Sequence, residues 1–63
     1  MTQKELLYYE DAIEHEDIIV KLIDKAILSL TDEKLIDFME EEKNKHTELK
    51  NALMHVLKEE ANG

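Results

Sequence analysis

Sixty-three residues make one small domain at most, and chains of this size are usually held together by disulfides, a structural metal or self-association. The absence of Cys removes disulfides and thiolate-bound zinc or iron–sulfur sites, which leaves oxygen and nitrogen metal ligands or oligomerisation. Sixteen acidic residues against eight basic ones, all of them Lys, give a net charge of −8, a poor match to nucleic acid or to a basic membrane anchor and a better one to cations.

The chain has no Pro and no internal Gly, so nothing along it must break a helix. Thr2 and Glu5 have the spacing of a capping box, with Met1 and Leu6 as its hydrophobic staple. A second helix start is expected at Thr31, followed by Asp32 and Glu33 in the dipole-favoured first turn and flanked by Leu30 and Leu35 at staple positions. These signals predict a first helix over about 3–29 and a second over about 32–60. The short connection makes them antiparallel neighbours in a single helical-hairpin domain. No apolar run approaches the ~18 residues of a membrane span, and the first residues form no signal peptide, so a soluble, cytoplasmic protein is expected.

Apolar spacing predicts which faces meet. In the first helix a three-four alternation runs through Leu6, Tyr9, Ile13, Glu16, Val20, Ile23, Ile27 and Leu30, widened by Ala12, Ile19 and Ala26. In the second the corresponding run is Leu35, Met39, Glu42, His46, Leu49, Leu53 and Val56, with Phe38, Ala52 and Leu57 beside it. Both stripes are apolar at their ends and polar in the middle. Residues 14–17 (EHED) and 40–48 (EEEKNKHTE) turn every face polar at mid-length, and antiparallel pairing around residues 30–31 sets Glu16 level with His46, with Glu42 one turn away.

A carboxylate buried without a partner strands an uncompensated charge, at about 3–5 kcal/mol for a broken buried pair, which is comparable to the whole stability of a small domain. His46 supplies at most one positive charge for two carboxylates, whereas a divalent ion neutralises both and leaves His46 as a neutral nitrogen ligand. Two helices cannot enclose a core, so a two-fold dimer forming a four-helix bundle is the natural completion. It would gather two copies each of Glu16, Glu42 and His46.

At this point the residues resemble the ferritin-like di-iron carboxylate proteins, in particular half of a rubrerythrin-type or encapsulated-ferritin-type bundle. In those proteins one helix of each pair gives a Glu and the next gives a Glu followed at i+3 by His. Glu16 matches the first role, and the acidic run Glu40–Glu42 before His46, Glu48 and Leu49 is similar to the second helix. The residue three before His46 is Lys43, and Glu42 stands at i−4 instead. The resemblance spans about residues 6–57. It implies a metal site of Glu16, Glu42 and His46 formed across a homodimer and holding two iron ions, or another divalent metal. It further implies Fe(II) oxidation by oxygen or peroxide, and leaves room for a larger assembly or shell.

Pattern alone also admits two plainer readings of the same three residues. In one they are solvated at the edge of the seam; in the other a Glu–His pair sets helix register without metal. The corresponding alternative function is a metal-free helical hairpin that self-associates or packs on a partner helix. His15 with Asp11 and His55 with Glu59 have helical two-ligand spacing but lie off the main stripe and are read as surface. Tyr9 is read as core. Serine-triad, EF-hand, phosphate-loop and His-Glu-x-x-His chemistry all lack the residues they need.

Overall fold

The computed structural model describes residues 1–62 and contains two helices: α1, Gln3–Leu28, and α2, Glu33–Asn62. They pack antiparallel along their length in a rod whose principal extents are 46 × 15 × 11 Å. That is the length of the longer helix at 1.5 Å per residue. Among the described residues, no helix is long and apolar enough to cross a membrane.

The start of α1 follows the expected capping box. Thr2 is extended, Glu5 N–H donates to its hydroxyl at 3.1 Å, and Thr2 N–H donates back to Glu5 Oε1 at 2.8 Å. The backbone donor of Thr2 holds the Glu5 carboxyl below its usual range. The helix ends without glycine. Ser29 stays right-handed at φ −99°, and its N–H and that of Leu30 close on Ala26 and Ile27 carbonyls in a tightened last turn.

The cap of α2 differs from expectation by one residue. Asp32, not Thr31, is the capping side chain: its Oδ1 accepts from Lys34 N–H at 2.9 Å and Leu35 N–H at 3.2 Å. A carboxylate satisfies both orphan donors and adds the favourable charge at a helix N-terminus, so it wins the position over a neighbouring hydroxyl.

The face of α2 that meets α1 is also rotated from the expected one. Ile36, Met39, Lys43, His46, Lys50, Leu53 and Leu57 are partly buried, whereas Leu35, Leu49 and Val56 are exposed. The expected stripe had taken the apolar residues on either side of a seam whose own central positions are cationic. On α1, Leu6, Tyr9, Ile13, Glu16, Val20, Ile23, Ile27 and Leu30 are inward as expected. Even so, Ile23, at 8% exposure, is the one buried residue among those described, and none is wholly shielded from water. One hairpin shields a line, not a core.

Replacing the cap separates the two candidates. Asp32→Ala should lower the thermal midpoint by the equivalent of about 1 kcal/mol, while Thr31→Ala leaves it nearly unchanged, as read by circular dichroism melting.

Candidate functional site

Mid-length is where the sequence concentrates polar residues, and the structure resolves that region into three acid–base pairs joining the helices. His46 Nδ1 donates to Glu16 Oε2 at 2.5 Å. One turn to one side, Lys50 Nζ donates to Asp17 Oδ1 at 2.9 Å, and Asp17 also takes Lys21 at 2.9 Å. On the other side Lys43 Nζ reaches Asp24 at 2.7 Å. Lys43, His46 and Lys50 are spaced i, i+3, i+7 along α2, so they form one row facing the carboxylates of α1.

The pairs differ in burial. The Glu16 side chain is 13% exposed and His46 30%, which makes this the most enclosed polar contact in the seam. The two lysine pairs are more open to water. Lys50 and then Lys21 hold the Asp17 carboxyl below its usual range, and Asp24 holds the Lys43 ammonium above its own. In exposed pairs such shifts are largely screened, so their main effect is on register.

The three expected ligands therefore separate. Glu16 and His46 are brought together, from opposite helices and at the expected level. Glu42 does not join them: it is partly buried on the neighbouring side of α2, where Lys45 Nζ lies 3.4 Å from its Oε1. The reason is helical spacing. Glu42 shares a side with Phe38 and Leu49, while the row that faces α1 passes through Lys43. Among the described residues no three His, Asp or Glu side chains gather closely enough to hold a metal ion. His15 is exposed, and His55 is exposed and pairs with Glu59 at 3.1 Å one turn along.

Sequence reasoning passed over Asp17, Asp24, Lys43 and Lys50. The available signal was the matched spacing of two carboxylates in α1 and two lysines in α2. The two pairs keep the same seven-residue spacing on both helices, five residues out of step with Glu16–His46, an offset that the lysine side chains span. Comparison with protein-family models, with curated proteins and with solved structures finds no match to this chain.

The Asp17 pairs fix a pH dependence. A carboxyl whose folded pKa is depressed stabilises the fold above its unfolded pKa and ceases to do so as pH falls through the folded value. Unfolding free energy should therefore fall as acid is added below the ordinary aspartate value of 3.8. In Asp17→Asn that part of the acid limb should flatten in denaturant titrations across pH, and added salt should shrink the difference between the two proteins.

Proposed function

We propose that this protein is a helical-hairpin interaction module, with its mid-length acid–base row acting as a register device and its work done by association through a helix face. The observation that carries this reading is the placement of Lys43 and Lys50 on either side of His46. The carboxylates of the seam already have partners from the same chain, a lysine ammonium for Asp17 and for Asp24 and an imidazole for Glu16. A divalent ion at Glu16 and His46 would sit between two ammonium groups on the same row, an arrangement electrostatics opposes. A polar layer in an otherwise apolar helix contact selects one alignment, because sliding α2 by a turn would leave Asp17, Glu16 and Asp24 without their partners.

A second reading has one observation in its favour. Glu16 and His46, the residues that resemble ligands of the ferritin-like di-iron proteins, meet across the helices. In this reading they begin an iron site, or a site for another divalent metal, and the third ligand is Glu42 of a second copy, since Glu42 of the same hairpin faces elsewhere. When bound, such a centre supplies Fe(II) oxidation. This chain's part is then to hold Glu16 and His46 in place and to present Glu42 on its neighbouring side.

Glu16 separates the readings. Replacing both members of a part-buried polar pair with apolar side chains is commonly neutral or stabilising, whereas removing one member alone is not. As a register device, Glu16→Leu combined with His46→Leu should therefore keep or raise the thermal midpoint, by the equivalent of roughly 1 kcal/mol, both with Fe(II) and with chelator. Elemental analysis after anaerobic Fe(II) loading and desalting should find no retained iron. Retention of about one iron per chain, lost in Glu16→Ala, would establish the metal reading instead.

A further inference from the structure

We infer that a second copy of this chain covers one broad face of the hairpin, completing a four-helix bundle; the inference rests on the interaction-module reading and names its partner. The two lysine bridges locate that face. Asp17 and Asp24 lie on one flank of the α1 seam and take Lys50 and Lys43 from the facing row of α2, and on that same side Glu10, Glu14 and Asp17 of α1 stand beside Lys50, Met54 and Lys58 of α2. The opposite flanks consequently share the other side of the hairpin. On α1 that flank is the row 8, 12, 15, 19, 22, 26, and on α2 it is 35, 38, 42, 45, 49, 52, 56. Both rows alternate threes and fours without interruption, the spacing of a helix contact.

Each helix thus carries two adjacent contact rows, one used within the hairpin and one open. A four-helix bundle requires this of its members, because each helix there touches two neighbours. The open rows hold six of the large apolar side chains left in water, Tyr8, Leu22, Phe38, Leu35, Leu49 and Val56, while Leu7, Ile18, Leu28 and Met54 lie elsewhere. The face measures 46 Å by 15 Å, about 690 Å² in projection, close to the roughly 800 Å² per partner of a stable interface.

Charge identifies the occupant. The open rows are apolar at both ends and polar at mid-length, where they carry His15, Glu42 and Lys45. A uniformly apolar partner helix would strand those three groups. A second copy, related by a two-fold axis through mid-length, sets apolar ends on apolar ends and the two polar middles in one layer. In that layer the Glu42 and Lys45 charges cancel, each Glu42 already having a Lys45 ammonium at 3.4 Å, so no outside ion is needed. The opposite side of the hairpin is more mixed: Ile13, Met54, Leu57 and Ala61 line it together with Glu10, Glu14, Asp17, Lys50 and Lys58, so its apolar residues, unlike those of the open rows, are interrupted by charge along their whole length.

The test is the mass of the full chain by sedimentation equilibrium in chelator, from micromolar to millimolar concentration. Twice 7.4 kDa, about 14.8 kDa, is expected. Phe38→Glu combined with Leu49→Glu should halve the mass. Leu28→Glu, at a residue 87% exposed on the flank carrying Asp17 and Asp24, should leave it at two chains. Should the double variant lose its helical circular dichroism, isotope-filtered NOEs on mixed-labelled wild-type protein decide: intermolecular contacts are expected from the Phe38 ring. A single-chain mass, or intermolecular NOEs from Met54 with none from Phe38, overturns the inference. Chelator makes this experiment blind to iron, and iron retention is blind to which face associates, so this inference and the reading beneath it can fail separately.

Discussion

Two helices in contact along a line can each hide only a stripe of their surface, and the composition of this chain has to be understood against that constraint. With Ile23 the one buried residue among those described, the hydrophobic contribution available to a lone hairpin is small. Apolar residues at Leu22, Phe38 and Leu49, which a larger protein would enclose, remain in water. The capping box at Thr2 and the Asp32 cap are local devices that lower the cost of forming each helix. They contribute nothing to holding the helices together. Cohesion comes from the seam, and half the length of that seam is polar.

The polar stretch is informative because it is paired. Solvated charges on a helix surface need no counterpart, yet here each of three acidic side chains on α1 meets a basic one on α2. Their individual contributions are modest in water, since Lys43 and Lys50 keep about a third of their side-chain surface exposed. What the row supplies is selectivity. Apolar helix stripes slide past each other at little cost, whereas a displaced row leaves charges facing their own sign or an apolar surface. Glu16 and His46, the most enclosed of the set, anchor that alignment.

Much of the architecture was legible because it depends on short-range rules. The helix spans, the antiparallel hairpin, the inward face of α1 and the level pairing of Glu16 with His46 all follow from caps, the absence of internal breakers and a 3.6-residue period. The inward face of α2 was less legible, for a physical reason. Hydrophobicity marks a seam only where the seam is apolar, and on α2 the central contacts are Lys43, His46 and Lys50. The more apolar row, through Leu35, Phe38, Leu49 and Val56, lies beside it. Periodicity therefore blended two rows into one stripe and drew Glu42 onto a side of the helix it does not share with His46. The Asp32 cap was obscured in a similar way, two adjacent cap-competent side chains being separable only by their hydrogen bonds.

That blending carries its own structural content. A helix whose apolar residues serve one contact shows one stripe; a helix that serves two contacts shows a wider stripe made of neighbouring rows. On α2 the row turned toward α1 carries Lys43, His46 and Lys50 between apolar ends, and the row turned away carries as many large apolar residues, Leu35, Phe38, Leu49 and Val56, more than a free-standing hairpin has reason to leave in water. In the proposed association the charges between α1 and α2 would hold their alignment, and the apolar face would contribute most to binding by leaving water. The sign and placement of those few side chains, more than the helices themselves, carry the proposal of a partner.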